Sequence, residues 1–137
     1  MKLNTHLNFN GNCREAFDEY AKIFGGKVHG VLTWGDSPMR PDSSPEMGDK
    51  VMHARIDLAN ATYMGSDNPP EWYSQPKGFG VTASTDTPED AERIFAALSQ
   101  GGEVSMPLQE TFWAHKFGMV RDRFGIPWMV NCEKDTM

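Results

Sequence analysis

NCREAFDEYAKIFGG at residues 12–26 and TPEDAERIFAALSQGG at residues 87–102 follow one plan. Each opens on a residue suited to capping a helix. Asn12 does so with Glu15 three residues on, a capping-box-like pair. Thr87 does so with Pro88 at the first helical position, where the missing N–H costs nothing. Each carries an apolar stripe at helical spacing, formed by Ala16, Phe17, Tyr20, Ile23 and Phe24 in the first and by Ala91, Ile94, Phe95 and Leu98 in the second. Each stops at a Gly pair that can supply a left-handed C-terminus. Ala16, Tyr20 and Ile23 map onto Ala91, Phe95 and Leu98 at a constant offset of 75, and the Gly pairs map at 76. Such repetition decides architecture before any local motif.

Strands fall around both helices in the same order. Leu3–Phe9 alternates apolar and polar residues ahead of the first helix, and strands fit Lys27–Trp34, Lys50–Leu58 and Thr62–Ser66 after it. Around the second helix the pattern predicts Gly78–Ser84, a strand beginning at Glu103–Pro107, then Thr111–Val120 and Pro127–Cys132 joined at Asp122–Gly125. The segments GDSPMRPDSSPEMGD and SDNPPEWYSQPKG read as loops. The chain is therefore expected to be α+β, built from two βαβββ modules at about 1–68 and 77–134 in one domain covering 1–137.

The bulk figures suit that reading. A chain of 137 residues with 39% hydrophobic and 23% charged residues is long enough to bury a core without metals or disulfides. Its net charge of −6 disfavours nucleic acid and anionic lipid as partners. No apolar run can span a bilayer, and residues 1–12 lack the apolar core of a secretory signal. The two distant cysteines, Cys13 and Cys132, make no disulfide framework, so a cytoplasmic location is expected.

Four stretches in order resemble one family: NGNCREAFDEYAKIFGG after the first strand, VMHARIDL, GSD, and MPLQETFWAHKFGMVRDRFGIPWMVN. They resemble the PhnB-like branch of the vicinal-oxygen-chelate superfamily, which includes glyoxalase I, extradiol dioxygenases and bleomycin-resistance proteins. Nearly the whole chain takes part. Arg123 departs from a common Pro after the Asp, and Ile126 departs from a common His after the Gly; the second change alters pocket polarity. The resemblance implies a curved eight-stranded mixed sheet around a cavity, both helices on the convex side, a small-molecule ligand and a homodimer.

Strand parity agrees. Leu7 and Phe9 should face the helix, leaving Asn4, His6 and Asn8 on the cavity side; Met52, Ala54, Ile56 and Leu58 should face the helix, leaving His53, Arg55 and Asp57 opposite. The superfamily commonly binds a divalent ion through His and Glu on the first, fourth, fifth and eighth strands. The resemblance puts the first and last of those positions on Asn4 and Met129, a thioether being a poor ligand for a hard ion, and the fifth strand offers no His, Asp or Glu. No cofactor is therefore expected, and a divalent ion held by His6 and His53 is the alternative. The cavity is expected to be lined by His6, Asn8, His53, Arg55, Trp113, Phe117, Met129 and Asn131, with Arg55 on an anionic group and His6 or His53 as the candidate base.

Other chemistry reads more weakly. Cys13 sits in a first helical turn, where the dipole favours a thiolate, but no His accompanies it in the pattern. Ser37, Ser43 and Ser44 lack a nucleophile-elbow context, Asp86 and Asp90 read as capping residues, and His29 and His115 as exposed or core-edge. Asp122 and Gly125 read as turn residues, and Trp128 as core. Members of the branch have been labelled 3-demethylubiquinone methyltransferases. Both Gly pairs here follow helices, so neither is the strand-to-helix turn a nucleotide-like cofactor needs, and that activity is not expected. The expected function is binding of a small molecule without the usual metal, ahead of a metal-dependent lyase or dioxygenase and of a non-catalytic interaction module.

Overall fold

The computed structural model describes residues 1–38 and 45–134, so Ser43 and Ser44 lie outside the described residues. The chain forms two compact units, Met1–Ser74 and Gln75–Met137. The first holds β1 (Thr5–Phe9), α1 (Cys13–Phe24), β2 (Lys27–Thr33), β3 (Val51–Leu58) and β4 (Ala61–Asp67). The second holds β5 (Val81–Ser84), α2 (Pro88–Ser99), β6 (Glu103–Gln109), β7 (Ala114–Arg121) and β8 (Pro127–Glu133). Hydrogen bonding divides the eight strands into two mixed sheets of four, ordered β1-β4-β3-β2 and β5-β8-β7-β6. In each the first strand runs parallel to the last and the other pairs are antiparallel. The repeat read from the two helices thus extends to identical topology.

In the first unit α1 covers one face of the sheet. Phe17, Tyr20 and Ile23 from the helix and Leu7, Phe9, Ala54, Ile56 and Leu58 from the strands are buried there, each large side chain contributing roughly 1.5–3 kcal/mol of burial. The Phe9 and Phe17 rings meet edge to face at 5.8 Å. Close approach of helix and sheet requires Gly65, because a Cβ there would stand 2.5 Å from Phe17 Cζ. In the second unit Ala91, Ile94, Phe95 and Leu98 pack over Val81, Val120, Trp128 and Val130. There a Cβ on Gly118 would stand 2.7 Å from Phe95 Cε2.

Several local expectations need correction. Asn12 makes no side-chain capping bond. The N-terminus of α1 is capped from 54 residues away, by Asp67, whose Oδ1 accepts the Cys13 N–H at 2.8 Å. The same carboxylate accepts the Val51 N–H at 2.9 Å, and the Asp67 carbonyl accepts the Trp34 indole N–H at 2.8 Å. Thr87 does cap α2, accepting the Asp90 N–H at 3.1 Å. Met52 is not part of the helix-facing row: the β2–β3 register slips between Leu32↔His53 and Thr33↔Val51, and Val51 takes the buried place. A further slip between His29 and Leu32 brackets Gly30, whose φ of +65° suits a glycine bulge. The strand expected at 78–84 begins at Val81, and the one expected at 111–120 runs Ala114–Arg121. Residues 111–113 instead turn, with the Ala114 N–H donating to Thr111 Oγ1.

Candidate functional site

On the face of the first sheet away from α1, cross-strand partners line up in rows. His6 lies beside Met64, Met64 beside Arg55, and Arg55 beside His29. The next row carries Asn8 beside Ser66. His53 joins them, its ring centroid 6.4 Å from that of His6. His6 Nε2 is hydrogen-bonded to Ser66 Oγ at 2.8 Å, and Ser66 Oγ lies 3.5 Å from Asn8 Oδ1. Four of the eight expected cavity residues, His6, Asn8, His53 and Arg55, therefore share one surface. Ser66 is a partner that strand reading did not single out, although alternation along 62–66 puts it on the same side.

The electrostatics of this face are uneven. Partial burial of the ring and the neighbouring His53 hold the His6 pKa below its ordinary value. Asp57 accepts from Thr62 Oγ1 at 2.8 Å and lies 3.1 Å from His29 Nε2. The Thr62 hydrogen bond, with the nearby His29 and Arg55, holds its carboxyl below the usual range. Arg55 is exposed and makes no ion pair among the described residues.

These donors do not fit the superfamily's divalent ion. The carboxylate closest in sequence to Ser66 is Asp67, which alternation turns to the helix side, where two backbone N–H groups occupy it. Asn4 is exposed ahead of β1, and Met129 on β8 offers sulfur only. Among the described residues no three His, Cys, Asp or Glu side chains gather as a metal-binding group.

The remaining expected residues come together in the second unit. Phe117 pairs with Asn131 across β7 and β8, and Met119 with Met129, on the face away from α2. Trp113, in the turn before β7, meets Phe117 at 5.2 Å and Phe112 at 4.9 Å between ring centroids. Both Trp113 and Phe117 are half-buried. Asn131 is buried, with Nδ2 donating to Glu133 Oε1 at 3.3 Å, while its Oδ1 has no protein partner.

The weaker candidates resolve as structural. Cys13 is buried; burial first and Asp67 second push its thiol well above the ordinary range, overriding the helix dipole. Ser37 is buried and donates to Met52 Sδ at 3.0 Å. Asp90 closes the Thr87 cap through its N–H, while Asp86 and His115 are exposed. Asp122 is more than a turn residue. It is 5% exposed, its Oδ1 accepts from Phe124 N and Ile126 N at 2.9 and 3.0 Å, and its Oδ2 accepts the Trp128 indole N–H at 2.8 Å. Trp128 is core, as expected.

Residues 1–131 match the model of a family described as 3-demethylubiquinone-9 3-methyltransferase. This chain belongs to that family. It is 33% identical to protein YjdN of Escherichia coli K12, over 98% of this chain and 97% of YjdN. It is similar to the solved structure of PA1353 from Pseudomonas aeruginosa at 47% identity and TM-score 0.88, covering 98% of this chain and 99% of the other. A PhnB protein from Bacillus cereus, which also carries the methyltransferase name, shares the fold at TM-score 0.82 and 23% identity, covering 96% and 99%. Solved structures of a glyoxylase/bleomycin resistance protein/dioxygenase domain from Frankia and of the fosfomycin resistance protein FosX from Listeria monocytogenes share the fold at 14% and 10% identity, each at TM-score 0.64. The family's descriptive name implies a methyl-donor site. Here Gly25, at φ +73°, closes α1, and Gly101, at φ +70°, follows the end of α2, so both Gly pairs terminate helices.

Proposed function

We propose that this chain is a small-molecule-binding protein that holds its ligand without the superfamily's usual divalent ion. The observation that carries the reading is the surface shared by His6, Asn8, His53, Arg55 and Ser66. An exposed guanidinium without an ion-pair partner among the described residues, beside two imidazoles and a hydrogen-bonded hydroxyl, is suited to a carboxylate or phosphonate group. His6, hydrogen-bonded to Ser66 and kept neutral by its lowered pKa, is the candidate base if the bound molecule reacts. Trp113, Phe117, Met129 and Asn131 are proposed as a ligand-contacting surface of the second unit, suited to a planar or apolar body. The metal-dependent alternative rests on the His6–His53 approach alone, and among the described residues no carboxylate gathers with the two rings as a metal-binding group.

No helix among the described residues is long and apolar enough to cross a membrane. A cytoplasmic setting is proposed on the two free, buried cysteines, and a homodimer with a symmetric interface on the resemblance to the superfamily. Sedimentation at micromolar concentration should give twice the chain mass; a monomer would refute the dimer.

The test of binding is a thermal-shift screen of small carboxylates and phosphonates, repeated on Arg55→Gln and His53→Gln. Both are partly or fully exposed positions, so the variants should fold. Ligands that stabilise the parent chain and lose their effect in both variants support the reading. Ligands that stabilise all three chains equally, or a screen with no stabilising anion, would overturn it.

A further inference from the structure

We infer that a groove in the second unit, which shares Met129 with the ligand-contacting surface proposed above, binds an amphipathic organic anion carrying a single acidic head. The groove has a volume of about 540 Å3, within the range of small-molecule sites. Phe79, Met119 and Met129 give it an apolar surface, and Lys77 and Arg121 give it positive charge. Phe79 keeps 51% of its surface in water and the neighbouring Val104 46%, apolar area that a ligand would cover. Gly80 helps keep the groove open: a Cβ there would already touch Met129 Cε at 3.4 Å.

Arg121 is the orienting group. Its Nη1 donates to the Pro76 carbonyl at 2.7 Å and to the Gly125 carbonyl at 2.8 Å. Two carbonyls fix the plane of the guanidinium without neutralising its charge, and they leave the N–H groups of Nη2 and Nε for another acceptor. Neither Arg121 nor Lys77 makes an ion pair among the described residues. Glu103, the register partner of Arg121, also borders the groove. Its negative charge disfavours a dianionic head and selects a singly charged one. The apolar body then lies over the two thioethers and the Phe79 ring, which suits a planar aromatic.

The probe is naphthalene-2-carboxylate, compared with naphthalene-2-carboxamide by calorimetry on the full chain. The two share shape, and only the first carries charge. The acid should bind about tenfold tighter or more, as a charge-assisted contact requires. Lys77→Met should bring the acid towards the affinity of the amide, and Gly80→Leu should abolish binding of both. The titrations are run in the Arg55→Gln background, so that acid held by the histidine-bearing surface does not enter the comparison. Equal affinity for acid and amide, no binding at millimolar concentration, or binding that survives Gly80→Leu would each overturn the inference. Circular dichroism of the two groove variants confirms that any loss is not unfolding.

Discussion

Replacing Asp122 with alanine takes one buried carboxylate from three donors, the Phe124 and Ile126 backbone N–H groups and the Trp128 indole N–H. A buried donor left without an acceptor costs about 1–3 kcal/mol. At the lower figure the three sum to ~3 kcal/mol, and breaking buried charged networks by removing one partner costs ~3–5 kcal/mol. Asp122→Ala is therefore expected to destabilise by about 3–5 kcal/mol, a large share of the ~5–15 kcal/mol typical of a domain. Asp122→Asn keeps one oxygen for the two backbone donors but sets an amide NH2 against the indole N–H, for a loss of about 2 kcal/mol. Adding Trp128→Phe removes that clash, so the pair should couple by ~1–2 kcal/mol in a double-mutant cycle. Urea unfolding followed by Trp fluorescence and far-ultraviolet circular dichroism reads all five chains, the Trp128→Phe single variant included, with the slope checked for constancy. An Asp122→Ala midpoint within about 0.5 kcal/mol of the parent, or additive effects in the cycle, would refute the role given to this carboxylate.

Gly65→Ala forces a methyl group against the Phe17 ring and should cost about 1–3 kcal/mol in the same assay; a neutral result would mean that α1 sits farther from the sheet than described. The His6 pKa is lower in the folded protein than its ordinary 6.5, so the folded state binds fewer protons on that ring than the unfolded chain does. Its contribution to stability is present above the unfolded value and is lost as pH falls through the folded one. The unfolding free energy should therefore decline as pH drops below about 6.5, and His6→Gln, which can keep a hydrogen bond to Ser66, should reduce that decline. An unchanged pH slope in the variant would contradict the lowered pKa.

The repeat was legible because it rests on local signals: a cap, an apolar stripe and a Gly stop recur at a fixed offset, and identical strand order followed from them. Trp128 was legible as core from strand parity, and His6, Asn8, His53 and Arg55 as one surface for the same reason. What escaped depends on partners distant in sequence or on irregular registers. Asp67 caps a helix that starts 54 residues earlier, so the local reading of the Asn12 side chain pointed to the wrong capping group. Alternation put Met52 on the helix side, and a slip in the β2–β3 ladder gave that place to Val51. The groove of the second unit joins Lys77, Glu103 and Arg121, which lie in three separate segments and share no motif. Even the Asp122 turn hid its main contact, because nothing in DRFGIPW announces that the carboxylate reaches the Trp128 indole.

The central claim is that ligand binding here proceeds without the superfamily's divalent ion. Elemental analysis of untagged protein, paired with a thermal-unfolding titration of Mg2+, Mn2+, Ni2+ and Zn2+, tests it directly. A specific site filled to a hundred times its dissociation constant would add ~2.7 kcal/mol, which raises the midpoint by about 10 °C in a chain of this size. The account predicts substoichiometric metal and no midpoint rise with any of the four ions. One equivalent of bound metal, with a midpoint that climbs with ion concentration and falls back in His6→Gln or His53→Gln, would contradict it.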